Sequence, residues 1–202
     1  MTIGRRRRGG PGLGGLSLHR NLIAYWKLEE LSGTRFDATG RGNNLTDNNT
    51  VTQATGIVGN AAAFLKVNNE YLSRATMTVP TAIAGWIYLD NLTAPQYLLS
   101  QYNSTGNQRS YRLYWDNDGL NIRFFWGVSS DGIAADEVIA NTFGDLSATT
   151  WYMVYADYDS ANSLIRISIN NGALDTLAHT GGFFASTAEF NVGGVNIGAN
   201  PL

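Results

Sequence analysis

Between Leu164 and Asn170 apolar and polar side chains alternate without a break, with Ile165, Ile167 and Ile169 on one side and Arg166, Ser168 and Asn170 on the other. A period of two marks an extended strand with one buried face. Asn171 and Gly172 follow, a pair that tolerates positive φ, so the chain is predicted to turn there and return over residues 173–178 as a hairpin. The same period recurs from residue 22 onward, punctuated by turn residues, and no helical apolar stripe is sustained for three turns. Strands are therefore predicted over residues 22–28, 61–66, 82–89, 96–101, 110–115, 120–126, 151–158 and 190–197 as well. So many strands exceed one flat sheet, and two sheets packed face to face bury both apolar faces. The predicted fold class is all-β: a two-sheet antiparallel β-sandwich of jelly-roll type.

The composition agrees with one substantial core: the chain has 202 residues, 44% of them apolar and 11% aromatic. It has no cysteine, which excludes a disulfide framework, a thiolate metal site and a cysteine nucleophile. No apolar run approaches the roughly 18 residues of a membrane span, and no export signal is visible. Charge is unevenly spread. Arg5, Arg6, Arg7, Arg8 and Arg20 are basic and no acidic residue stands among the first twenty, while the whole chain carries −2. An acidic body does not create the positive field that nucleic-acid binding requires, so nucleic acid is expected only at the arm, if anywhere. The expected organisation is a flexible Arg/Gly-rich arm over residues 1–20 and a sandwich over residues 21–202. Arg5, Arg6, Arg7 and Arg8 are the candidate assembly anchor, since guanidinium groups suit carboxylates and phosphates and the glycines after them permit close approach.

Catalytic chemistry has little material. His19 and His179 are the two histidines, and no serine sits in a Gly-x-Ser-x-Gly setting. Glu29-Glu30 and Asp136-Glu137 are adjacent pairs that a strand would point to opposite faces, and Asp116 with Asp118 belongs to a turn. Gly9-Gly10-Pro11-Gly12 precedes no helix, so a dinucleotide site is not expected. No catalytic residue and no cofactor is assigned.

A run from Leu22-Ile23-Ala24-Tyr25-Trp26 through Glu29-Glu30 and Ser32-Gly33 leads into Asp37-Ala38-Thr39-Gly40-Arg41-Gly42-Asn43. Val58-Gly59-Asn60-Ala61-Ala62-Ala63-Phe64, Ala82-Ile83-Ala84-Gly85-Trp86-Ile87 and Trp151-Tyr152-Met153-Val154-Tyr155 follow in order. In sequence and spacing these pieces resemble laminin-G-like, concanavalin A-like lectin/glucanase domains, over nearly everything after residue 21. The resemblance implies the same sandwich and a structural role for Glu30. Glucanases of that superfamily carry alternating acidic residues on one strand, a pattern missing here. Phe64-Leu65-Lys66 stands where many relatives have Phe-Asp-Gly, so a ligand site is not carried over to it. Relatives continue past the segment matching Val195-Asn196-Ile197-Gly198 into one more strand, and the expectation is that the sandwich lacks it. Because such folds often bind calcium, Asp37 is the candidate metal ligand. Glycan contact would use exposed aromatic faces, with Tyr97, Tyr102, Tyr111, Tyr114, Trp115 and Trp126 as candidates, about half of which must face the interior.

The leading expectation is a noncatalytic structural or decoration protein of a large multimeric assembly, a bacteriophage virion at its capsid surface or tail. Its arm would dock onto other virion proteins and its sandwich would adhere weakly to surface glycans. The alternatives are an extracellular carbohydrate-binding, lectin-like module and a glycoside hydrolase.

Overall fold

The computed structural model describes residues 21–75, 77–117 and 119–194. Two antiparallel sheets form the body. The larger runs β1 (Thr46–Asn48), β4 (Tyr71–Arg74), β13 (Phe190–Val192), β6 (Gln96–Asn103), β7 (Gln108–Asn117), β8 (Ile122–Val128) and β9 (Asp136–Ile139). The smaller runs β12 (Asp175–Ala178), β11 (Leu164–Ile169), β10 (Thr150–Asp159) and β5 (Ala82–Leu89), and β2 (Thr52–Thr55) pairs with β3 (Asn60–Ala63) as a separate ribbon. The all-β sandwich is the fold that the alternation predicts.

Strand parity places the core. On β7 the odd positions Tyr111, Leu113 and Trp115 point inward, on β8 the even positions Phe124, Trp126 and Val128, and all six are buried. They meet Tyr152, Val154 and Ala156 of β10 and Ile165, Ile167 and Ile169 of β11, again all buried. Each large side chain removed from water in this way stabilises the fold by roughly 1.5–3 kcal/mol. The polar end of one of them is satisfied as well, the Trp126 indole N–H donating to the Asp157 carbonyl at 3.2 Å.

Several boundaries differ from the sequence reading. Residues 22–28 form no strand. Leu28 takes φ of 60°, and the segment makes only an isolated bridge between Trp26 and Asp37. Loop groups supply its hydrogen bonds: the Tyr25 N–H donates to Asp37 Oδ1 at 3.1 Å, Asn43 Nδ2 donates to the Ile23 carbonyl at 2.7 Å, and the Trp26 indole donates to the Asn43 carbonyl at 2.6 Å. Trp26 still reaches the core, stacked on Phe190 at 5.4 Å. The strand predicted over residues 190–197 ends at Val192, because Gly193 turns the chain with φ of 78°; residues 195–202, and with them the question of a closing strand, lie outside the described residues. Four strands escaped prediction. β1, β2, β4 and β9 are three or four residues long, too short for a period to register, and largely polar.

Candidate functional site

Register lines up one residue from each strand across the outer face of the larger sheet. Thr46 lies opposite Ser73, Ser73 opposite Asn191, Asn191 opposite Ser100, Ser100 opposite Arg112, Arg112 opposite Gly127, and Gly127 opposite Glu137. A side chain on a strand alternates faces, so this polar row looks away from the core that Tyr111, Leu113 and Trp126 fill. Parallel to it runs a row of rings: Tyr97 opposite Tyr114, and Tyr114 opposite Phe125. These rings stack in series at 5.2 and 5.0 Å between centroids.

Arg112 is the hub. Its Nε and Nη2 donate to Glu137 Oε1 at 2.8 and 2.5 Å, and its Nη1 donates to the Tyr97 hydroxyl oxygen at 2.8 Å. Tyr114 donates its hydroxyl to Glu137 Oε2 at 3.0 Å. The guanidinium carbon lies 4.6 Å from the Tyr102 ring centroid and 4.8 Å from that of Tyr114, within cation–π range. Arg109 also approaches Tyr102, donating from Nε to its hydroxyl at 3.2 Å. Burial opposes the Arg112 charge, but Glu137 and the tyrosines around it more than offset that cost and raise its pKa. Burial likewise pushes the Tyr97 and Tyr114 hydroxyls up, so both stay protonated donors. The side chains of Arg112 and Glu137 keep 18% and 27% of their exposure, enough for their edges to meet a solute. Glu137 also lines a cleft of about 250 Å³ between the edge strands β9 and β12, together with Asn141, Asp175 and Thr176.

The six aromatic candidates divide by parity. Tyr97, Tyr102 and Tyr114 belong to this outer face, but Tyr102 and Tyr114 are corrected as contacts because both are buried, at 8% and 7% exposure, which leaves the half-buried Tyr97. Tyr111, Trp115 and Trp126 are corrected: each has no exposed surface, because each points into the space between the sheets. Arg112 was not singled out from the sequence, and Glu137 was considered there only as half of the adjacent pair with Asp136. Their signal was available in Tyr111-Arg112-Leu113-Tyr114-Trp115, where a charged residue sits mid-strand at the parity opposite the buried rings.

The remaining candidates have local duties. Asp37 Oδ1 accepts the Tyr25 N–H at 3.1 Å, the Thr39 N–H at 2.9 Å and the Thr39 hydroxyl at 2.7 Å, while Oδ2 accepts the Asn43 N–H at 3.1 Å. Burial works against this carboxylate, yet those donors hold it below the ordinary aspartate value. Asp37 is thus a staple of its loop with its lone pairs already engaged. Among the described residues no group of three or more His, Cys, Asp or Glu side chains is placed to hold a metal ion. Glu30 accepts the Phe36 N–H at 2.8 Å, a structural role. Asp136 and Glu137 part to opposite faces, Asp136 Oδ2 lying 2.8 Å from Nδ1 of the buried His179. Arg5, Arg6, Arg7 and Arg8 lie outside the described residues, as does Asp118. Among the described residues no helix is long and apolar enough to cross a membrane.

Residues 59–201 match the family model described as the concanavalin A-like lectin/glucanases superfamily. No curated protein matches the chain. Among solved structures, the chain is similar to domain 4 of AbnA, a GH43 extracellular arabinanase from Geobacillus stearothermophilus, in complex with arabinotriose. The TM-score is 0.60 and the identity 18%, over 89% of this chain and 85% of that one. The CBM40 of the Ruminococcus gnavus IT-sialidase gives a TM-score of 0.46 and 19% identity over 59% of this chain and 66% of that one.

Proposed function

Because the chain belongs to the concanavalin A-like lectin/glucanases superfamily, we propose that it is a noncatalytic carbohydrate-binding module that holds a glycan on the outer face of its seven-stranded sheet. The observation that carries this reading is the Arg112–Glu137 pair set among the rings of Tyr97, Tyr102 and Tyr114. Sugars present vicinal hydroxyls and apolar C–H faces. Planar charged groups match the first by paired hydrogen bonds, and aromatic rings match the second by stacking. Ser73, Asn191 and Ser100 of the same row are buried, and the Ser100 hydroxyl donates to the Gly194 carbonyl at 3.0 Å, so the contact surface is confined to Arg112, Glu137 and Tyr97.

The bonding of Glu137 supports binding over hydrolysis. A glycosidase needs two carboxyl groups flanking one bond, one of them free to give up a proton. Glu137 instead has a guanidinium on one oxygen and a tyrosine hydroxyl on the other, so both of its oxygens already have a partner. The solved domain from an extracellular arabinanase, crystallised with arabinotriose, makes an arabino-oligosaccharide the first ligand to try and an extracellular setting the one to expect. In this reading residues 1–20 serve as a tether to a carrier. Docking into a virion draws its support from Arg5–Arg8 alone and stands second to the glycan reading.

The test is isothermal titration of the full chain with arabinotriose, followed by a panel of plant and bacterial-surface oligosaccharides. Saturable binding to at least one, lost in Arg112→Ala and Tyr97→Ala proteins that keep the wild-type circular dichroism spectrum, is the expected result. Binding that persists unchanged in both variants would place the site elsewhere.

A further inference from the structure

Strand β5 is an edge: among the described residues it pairs with β10 alone. Its sequence, Ala82-Ile83-Ala84-Gly85-Trp86-Ile87-Tyr88-Leu89, contains no charge and no proline, and its ladder with β10 runs from Thr150 to Asp157 without a register shift. Those are the devices by which proteins blunt an open edge, and β5 has none of them. The Tyr158 N–H donates to the Thr81 carbonyl at 3.0 Å, which sets the parity. Odd residues of β5 turn their N–H and C=O toward β10, so Ala82, Ala84, Trp86 and Tyr88 turn theirs away from it. The same four residues direct their side chains to the outer face, where Trp86 lies opposite Met153, and Tyr88 lies opposite Trp151 with rings 5.3 Å apart. Trp86 is 51% exposed and Tyr88 43%.

We propose that β5 pairs antiparallel with β5 of a second copy of this chain, joining the two smaller sheets into one. A two-fold axis at Gly85 puts Trp86 opposite Ala84 of the second copy and Tyr88 opposite its Ala82, each large ring against a methyl group. On the inner side Ile83 meets Ile87 in the same register. Ala82, Ala84, Trp86 and Tyr88 then form the hydrogen-bonded pairs, and these are the residues whose backbone groups are free to do so. A two-fold axis at Trp86 would instead set two indoles face to face and pair Ala84 with Tyr88, which leaves the sizes unmatched. Large-against-small complementarity singles out the first register, and an uncharged edge brings no like-charge repulsion to it. This surface is separate from the glycan face, so the two readings fail independently.

Sedimentation equilibrium on the full chain tests the proposal, with circular dichroism as a control for folding. The wild type is expected to dimerise reversibly. Ala84→Glu and Trp86→Lys are each expected to raise the dimer dissociation constant by about tenfold or more. The double variant A84E/W86K should recover dimerisation, because the introduced carboxylate and ammonium then face each other across the axis. A monomer at every concentration would overturn the proposal. If in that monomer the Ala84 and Trp86 amides exchange slowly, the edge is covered from within the same chain. Dimerisation unaffected by any of the three variants would overturn it equally.

Discussion

Gly127 decides whether Arg112 can reach Glu137, because the two side chains close over it from the strands on either side. A Cβ at Gly127 would sit 2.9 Å from Glu137 Oε1 and 3.2 Å from Arg112 Cγ. Gly127→Ala is therefore expected to part the ion pair and weaken glycan affinity about tenfold, a loss of roughly 1.4 kcal/mol, while chemical denaturation shows a smaller change. Asp37 is a second residue with a measurable duty. Its folded pKa lies below the ordinary 3.8, so the folded state holds the proton less tightly than the unfolded one. The stabilisation is complete above 3.8 and is lost as pH falls through the lower, folded value. Asp37→Asn keeps one acceptor oxygen and is expected to cost about 1–3 kcal/mol at neutral pH. Urea titrations of both proteins should converge as the pH drops below that window. How much of this was legible in the sequence depends on parity. Alternation in Tyr111-Arg112-Leu113-Tyr114-Trp115 says that half the rings are internal, but not which half, since both parities offer large aromatics. The burial of Tyr111 and Trp115 follows from what the facing sheet supplies, and that is a tertiary fact.

At the level of elements, the long strands were readable and the connections less so. β11 shows an apolar face against a polar one over six residues and β10 is a ten-residue run rich in aromatic and apolar side chains, and the structure keeps both at nearly the predicted bounds. The turn after β11 falls one residue earlier than Asn171-Gly172 suggests. Asn170 and Asn171 take the positive φ values, 54° and 56°, and the Gly172 N–H donates to the Ile169 carbonyl at 2.9 Å. Asn170 is recruited because its side-chain oxygen accepts the Met153 N–H at 2.9 Å, tying the turn to β10. Such a cross-strand demand is invisible to a local reading of turn propensity. Placing a β-branched residue in this left-handed conformation strains it, so Asn171→Val should cost about 1–2 kcal/mol, seen as a lower thermal midpoint, whereas Asn171→Gly should be tolerated. The early segment went the other way. Trp26 and its neighbours look like a strand because aromatic and apolar residues dominate them, yet the Asp37–Asn43 loop takes their backbone partners.

Across the whole molecule the sandwich assigns different work to its surfaces. The inner faces are apolar and hold the sheets together. The outer face of the larger sheet gathers a guanidinium, a carboxylate and three tyrosines, with Arg112 and Tyr114 held on β7 by ladders on both sides and Glu137 on the edge strand β9. The edge at β5 presents backbone groups and two exposed rings for association. The fold could be reached from period and turn signals, since they recur along most of the chain. The proposed glycan face could not, because Tyr97, Arg112 and Glu137 come from three different strands and meet only through register. The most direct test of the account is the affinity of the full chain for oligosaccharides with and without the Arg112 guanidinium. The account predicts saturable binding by the wild type and at least about a tenfold loss in Arg112→Ala, as expected when a charged hydrogen-bonding group of about 1.5–3 kcal/mol is removed. A folded wild-type protein that saturates with no oligosaccharide, or an Arg112→Ala protein that binds as the wild type does, would contradict it.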